Sequence, residues 1–73
     1  MVNFKSYISI DSTIRFGRPC ITGTRISVYD VLSWLANGLS EKEIIEDFPE
    51  LTSNHIKACL AYAANKESKI RVA

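Results

Sequence analysis

Residues 27–66 read SVYDVLSWLANGLSEKEIIEDFPELTSNHIKACLAYAANK, and this stretch decides the fold. A capping residue at the start of a helical pattern occurs three times, at Ser27, Ser40 and Thr52. Each cap is followed three positions later by a side chain that can return a hydrogen bond to it: Asp30, Glu43 and His55. Each cap is also bracketed by an apolar pair at the hydrophobic-staple spacing: Ile26 with Val31, Leu39 with Ile44, and Leu51 with Ile56. The repetition predicts three helices in series.

Helix ends are marked as clearly as helix starts. The first helix should span 28–36, because Gly38 tolerates the left-handed conformation that closes a helix. The second should run from Glu41 to about Phe48 and end before Pro49, which cannot donate to the preceding turn. The third, from Ser53 to about Lys66, is the longest.

Apolar residues at three-four spacing give each predicted helix one face for a common core. These residues are Val31, Leu32 and Leu35 on the first helix, Ile44, Ile45 and Phe48 on the second, and Ile56, Cys59, Leu60 and Ala63 on the third. Trp34 is one position off its stripe and is predicted to lie in the core or in a subunit interface.

The N-terminal third has β character. Residues 7–10 and 14–16 alternate β-favouring side chains about a turn-prone Asp-Ser pair, which predicts a short hairpin. A loop follows over 17–26, with a second strand pair possible between Cys20-Ile21 and Arg25-Ile26 about Thr22-Gly23. We therefore predict a single domain, mainly α with a short N-terminal β-hairpin. Its parts are a hairpin and loop (1–26), a three-helix helix-turn-helix (27–66) and a C-terminal tail (67–73).

Composition narrows the class of protein. A chain of 73 residues buries only a small core, and such a core usually needs disulfides, a metal or a partner subunit to stabilise it. Nine basic and eight acidic side chains nearly cancel, but the acidic ones crowd into 41–50 while basic ones lie on either side. Two separated cysteines, the absence of a signal-like apolar run and the absence of a membrane-length segment predict a soluble cytoplasmic protein with reduced thiols.

No catalytic set is apparent, and we expect no enzyme activity, no cofactor and no metal. A lone histidine lacks a well-placed nucleophile, and no glycine run suits a phosphate. His55 and Cys59 are four apart on one helix, but no second pair completes four metal ligands. Cys59 is better explained as a small buried apolar group.

Two helices joined by a short link, with a third in front, form the arrangement in which the last helix enters the DNA major groove. Thr52 or Ser53 would then meet phosphate, while Asn54, His55 and Lys57 approach base edges. Small side chains at Ala58, Ala61 and Ala64 would allow close approach to a groove or to another helix. A three-helix bundle without a DNA role has the same pattern.

Three arginines precede the helices: Arg15, Arg18 and Arg25. Solvent exposure is the simplest interpretation of each. The functional alternatives are phosphate contacts from the loop and, for Arg25, an ion pair that holds the loop against the helices.

Residues 17–28, GRPCITGTRISV, resemble the domain of unknown function 433 (DUF433) family of short antitoxin-like proteins. The likeness continues through LANGLS at 35–40 and DFPELT at 47–52 and closes at 56–63, so that it covers roughly 8–64. Ser12 departs from the family, which often has Pro after the Asp. The resemblance implies a homeodomain-like helix-turn-helix preceded by a β-hairpin, often dimeric.

The resemblance also implies a function. Members look like VapB-type antitoxins of type II toxin-antitoxin systems, which neutralise a PIN-domain ribonuclease toxin and repress their own operon. The expected partners are double-stranded DNA (the protein's own operator), the toxin and a second copy in a homodimer, with no membrane. A homodimer joined by the hairpin or the first helix would set the reading helices about 34 Å apart.

The predicted DNA-binding residues are Thr52, Ser53, Asn54, His55, Lys57, Arg18 and Arg25. The tail 66–73 is a candidate toxin-binding segment or an edge strand within the dimer. The alternative function is a dimeric protein-interaction module without DNA binding, which the near-neutral charge favours.

Overall fold

The computed structural model describes residues 4–70, with side chains described for residues 4–66. Its regular elements are a 3-10 turn Phe4–Ser6, β1 (Ile8–Ser9), a second 3-10 turn Arg15–Gly17, β2 (Cys20–Ile21), α1 (Val28–Ala36), α2 (Glu41–Asp47) and α3 (Ser53–Ile70). The two strands pair antiparallel, so the fold is mainly helical with a two-stranded N-terminal hairpin, as predicted.

Local capping starts α1 and α2 where the sequence indicated. In α1 the Ser27 hydroxyl accepts from the Asp30 N–H at 2.9 Å, and Asp30 accepts from the Ser27 N–H at 3.1 Å. Ser40 and Glu43 repeat the exchange in α2 at 3.1 and 3.0 Å. Because each cap satisfies two amides that have no partner within the helix, these starts depend little on tertiary contacts.

Helix α3 is longer than predicted. It continues through Ile70, four residues beyond Lys66, so the edge strand proposed for the tail is wrong for residues 67–70. No proline or glycine occurs in 53–70 to end the helix. Residues 71–73 of the predicted tail lie outside the described residues.

The hairpin has a different second strand from the predicted one. Ile8 is opposite Ile21 and Ser9 is opposite Cys20, so β1 pairs with β2 and not with residues 14–16. On its other side β2 contacts the segment before α1, through an Ile21 N–H to Ile26 carbonyl bond of 2.9 Å and a bridge between Cys20 and Ser27. The second predicted strand pair is therefore present as a single bridge.

The core joins the hairpin to all three helices. Its buried apolar residues are Ile8, Cys20, Ile21, Val28, Val31, Ile44, Leu51, Ile56, Ala58 and Cys59. One core assignment on α3 was wrong, because Leu60 is 48% exposed, while the small residue Ala58 is fully buried. Trp34 is half-buried and stacks on Phe48, with ring centroids 4.7 Å apart and planes 10° from parallel.

Candidate nucleic-acid interface

We call the start of α3 the leading turn (Thr52–Lys57). Three residues after the capping Thr52, it has His55 where a capping box usually has glutamate. The Thr52 N–H donates to His55 Nδ1 at 2.9 Å, and the Thr52 hydroxyl lies 3.0 Å from the same nitrogen. In return, the His55 N–H reaches the Thr52 hydroxyl at 3.4 Å. Because Nδ1 accepts the amide hydrogen bond, Nε2 is the ring's remaining donor.

A tertiary contact holds this ring in place. Tyr7, just before β1, meets His55 edge to face, with centroids 5.4 Å apart and an angle of 81° between the planes. Nearby, Phe4 meets Tyr62 of α3 in the same geometry at 5.6 Å. The N-terminal segment thus packs along α3 and orients its leading turn, while His55 remains half-buried.

The outer side of the leading turn is uncovered. Thr52, Asn54 and Lys57 are exposed, and Ser53 is half-buried. Asn54 and Lys57 are three residues apart, so their side chains are neighbours on one helix face. The Asn54 amide, which has donors and an acceptor, is thus beside the Lys57 ammonium group. Together these two groups can form hydrogen bonds with base edges or phosphates.

The two predicted loop arginines lie outside the leading turn, and Arg18 is near a different part of α3. Arg18 lines a groove together with Tyr62, Ala63 and Lys66, in the C-terminal half of α3. Nine residues separate Asn54 from Ala63, which is roughly 13 Å along a helix axis. Arg25 is exposed in the loop between β2 and α1. The leading turn therefore contains five of the seven predicted contacts, and Arg18 lies apart from them.

Arg15, not Arg25, makes the ion pair that holds the loop. Its Nη1 donates to Asp30 Oδ2 at 3.1 Å and to the Arg25 carbonyl at 2.9 Å. Partial burial raises the pKa of Asp30, but hydrogen bonds from Ser27 and Arg15 and the charge of Arg15 outweigh it and lower that pKa. Fifteen residues separate the pair, so no local spacing signals the contact.

Several exposed carboxylates precede the leading turn in the chain. Glu46, Asp47 and Glu50 are exposed along α2 and the connection to α3. Glu43 is exposed as well, and hydrogen bonds from Ser40 lower its pKa, so it stays ionised at neutral pH. A polyanion would therefore approach the outer face of α3 and not the connection.

Other site types have little support in the described part of the chain. Among residues 4–70, no three His, Cys, Asp or Glu side chains are grouped to hold a metal ion. None of the helices described has the length and apolar character needed to cross a membrane. Both cysteines are buried and unpaired, and burial raises the pKa of Cys59 to about 12, so its thiol stays protonated.

Comparison with known proteins gives consistent results. The crystal structure of a DUF433 member from Anabaena variabilis has a TM-score of 0.80 and 26% identity, covering 88% of this chain and 63% of that one. The "Uncharacterized protein y4eO" of Sinorhizobium fredii is 38% identical over 47 residues. That match covers 64% of this chain but only 21% of the relative's length. The family model described as "Protein of unknown function (DUF433)" matches residues 8–63, and the chain belongs to this family.

Proposed function

We propose that the protein is an antitoxin-like DNA-binding regulator of a type II toxin-antitoxin system. In this proposal α2 and α3 act as a homeodomain-like helix-turn-helix, with α1 in front of them. The observation that carries the proposal is the uncovered leading turn, where exposed Asn54 and Lys57 are neighbours on the outer face. As a regulator it would repress its own operon and neutralise a PIN-domain ribonuclease toxin.

Each residue of the leading turn has a chemically distinct role in the proposal. Thr52 and Ser53, at the positive end of the α3 dipole, approach a phosphate. The Asn54 amide offers the paired donor and acceptor that match adenine in the major groove, while Lys57 suits guanine or a phosphate. His55 positions the turn by accepting the Thr52 N–H at Nδ1, which leaves Nε2–H as the donor it would offer. A good base contact is worth about 1–3 kcal/mol of discrimination.

The charge distribution limits how many phosphates such a complex can contact. The net charge is +1, and Lys57 is the one cation of the leading turn. The logarithm of affinity falls with the logarithm of salt by about 0.9 per phosphate neutralised, so the slope should be shallow for a DNA-binding protein. Affinity would then depend more on base contacts and on pairing of two subunits than on long-range attraction.

A titration against the DNA upstream of the protein's own gene tests the proposal. Fluorescence anisotropy at several salt concentrations from about 50 to 300 mM should show binding that weakens as salt rises. Lys57→Ala should reduce the slope by about 0.9 per bound subunit, and Asn54→Ala should relax preference at one base pair. Both side chains are exposed, so circular dichroism should show unchanged folding.

Lys42→Ala is the matched control, since it removes the same charge from an exposed position at the start of α2, outside the leading turn. Its binding should equal that of the unmodified chain. Absence of binding at low salt, or equal losses from Lys57→Ala and Lys42→Ala, would contradict the assigned interface.

A second candidate function is a dimeric protein-interaction module without DNA binding. The exposed carboxylates Glu46, Asp47 and Glu50 favour it, because they form an acidic surface suited to a basic protein partner. The same titration separates the two, since this alternative predicts no DNA complex at any salt concentration. Binding of a co-expressed PIN-domain ribonuclease, with loss of its nuclease activity, would support the antitoxin role specifically.

A further inference from the structure

Phe16 is fully exposed, at 101% of its reference area, which is unusual for a phenyl ring. It follows Arg15 in the 3-10 turn, and both have positive φ, 52° and 58°. Side chains other than glycine seldom adopt this left-handed region, and two in succession are rarer still. The chain therefore holds an apolar ring outward in a conformation that its own backbone does not favour.

Several contacts hold this turn in one geometry. The Gly17 N–H donates to the Ile14 carbonyl at 3.1 Å, and the Arg18 N–H donates to the Arg15 carbonyl at 3.2 Å. The Arg15 guanidinium adds its bonds to Asp30 and to the Arg25 carbonyl. Strain that surrounding contacts maintain is concentrated at sites of recognition, so Phe16 is a candidate anchor.

An open apolar groove starts two residues further along the chain. We call it the α1/α3 groove, with a volume of about 620 Å³. Its main lining residues are Tyr29 and Leu32 of α1, Tyr62 and Ala63 of α3, and Arg18 and Pro19 of the loop. Tyr29 is 68% exposed, so an aromatic surface is available at the mouth of the groove.

We propose that two copies of the chain pair through a reciprocal contact, in which Phe16 of each copy enters the α1/α3 groove of the other. Anchor and groove are close in the chain, because Phe16 is two residues from the groove residue Arg18. A two-fold axis between them satisfies both contacts at once and leaves no further anchor to propagate assembly. The inference does not depend on DNA binding.

The area available sets the strength of this dimer. A buried aromatic side chain removes about 150–250 Å² from solvent. With a similar area covered on each groove, two reciprocal contacts bury about 600–1,000 Å² in total. Stable complexes typically bury about 1,200–2,000 Å², and smaller interfaces belong to transient complexes. The dissociation constant of the dimer should therefore be micromolar or higher.

Two features separate this dimer from the DNA interface. Arg18 and Lys66 both line the groove, so pairing brings the like charges of two copies closer together, and salt should strengthen pairing by screening them. DNA binding should instead weaken with salt. The groove is also in the opposite half of α3 from Asn54, roughly 13 Å along the helix, so both leading turns remain uncovered.

Sedimentation equilibrium from about 5 µM to about 1 mM tests the pairing over the range expected for a transient interface. The unmodified chain should shift with concentration from its 8.2 kDa monomer mass toward twice that value. Phe16→Asn should raise the dissociation constant at least about tenfold, as loss of a central aromatic anchor does. Asn tolerates the left-handed backbone, so this variant should fold and melt no lower than the unmodified chain.

Leu60→Gln is the matched control, because Leu60 is an exposed apolar residue that does not line the groove. It should pair like the unmodified chain. Tyr29→Ser should weaken pairing from the groove side. A mixture of Phe16→Asn and Tyr29→Ser chains should associate more tightly than either variant alone, because one intact anchor then meets one intact groove.

Three results would overturn the proposal. A chain that stays monomeric up to about 1 mM would mean that another segment or partner occupies the groove, or that it stays open. A dimer unaffected by Phe16→Asn would place the interface elsewhere, for example on the hairpin. A mixture that pairs no better than its two components would exclude the reciprocal contact.

Discussion

Replacing Asp30 by alanine removes a carboxylate that serves two structures at once. Oδ2 accepts both the Ser27 N–H that closes the capping box of α1 and the Arg15 guanidinium that holds the strained turn. Ser27 is 1% exposed, so its amide would lose its partner without regaining water. The Ser27 hydroxyl bond to the residue 30 N–H survives, because that donor is in the backbone.

The expected loss is about 2 kcal/mol in the free energy of unfolding. A buried amide left without a partner costs about 1–3 kcal/mol. The ion pair adds at most about 1 kcal/mol, because its side chains are 33% and 28% exposed and solvent screens the attraction. For a domain of this size the total is a large part of its stability.

The loss should depend on pH in a defined direction. The pKa of Asp30 in the folded chain lies below the ordinary value of 3.8. A lowered carboxyl pKa stabilises the fold fully above that ordinary value, and the stabilisation disappears as pH falls through the folded pKa. The gap between the unmodified chain and Asp30→Ala should therefore be constant near neutral pH and narrow below about 3.8.

Urea unfolding followed by Trp34 fluorescence measures this gap at a series of pH values. Glu43→Ala is the comparison, because it removes the returning bond of the α2 capping box at an exposed site with no ion pair. It should destabilise the chain less than Asp30→Ala does. A loss below about 0.5 kcal/mol for Asp30→Ala, or a gap unchanged down to pH ~2, would refute the reasoning.

Two further predictions concern backbone conformation and thiol chemistry. Gly38, which follows α1, has a φ of 94°, and a Cβ built there meets nothing within 4 Å. Gly38→Ala should therefore cost about 1 kcal/mol through backbone strain alone, seen as a lower melting temperature; an unchanged one would contradict this. The Cys59 thiol, with its pKa raised to about 12, should stay unmodified by a maleimide at neutral pH until denaturant is added. Rapid labelling of the folded chain at Cys59 would show that the site opens readily.

The helices were predictable because their ends are decided by neighbours in sequence. Ser27 with Asp30 and Ser40 with Glu43 exchange hydrogen bonds across three residues, and α1 has the predicted bounds. The weaker pattern of Thr52 with His55 also holds, through a ring nitrogen. The leading turn could therefore be located from sequence, although its contact with DNA remains a prediction.

The strand that pairs with β1 and the exposure of Leu60 could not be predicted without the tertiary structure. Residues 14–16 alternate apolar and polar side chains, whereas both residues of the true strand Cys20–Ile21 are buried. Period-two alternation alone therefore does not say which segment pairs with β1. Leu60 satisfies the helical spacing of a core residue, yet it is on the outer face of α3. Helical spacing defines a stripe, but only packing decides where the edge of that stripe lies.

The sequence determined the order of the elements, with three capped helices after a β-rich segment, and it also determined the family. It could do so because capping and motif spacing act over a few residues. The ion pair of Arg15 with Asp30, the outward Phe16 and the groove between α1 and α3 were decided by the tertiary structure. Each of these depends on residues brought together from distant parts of the chain, and the local periodicity of a sequence does not predict such contacts.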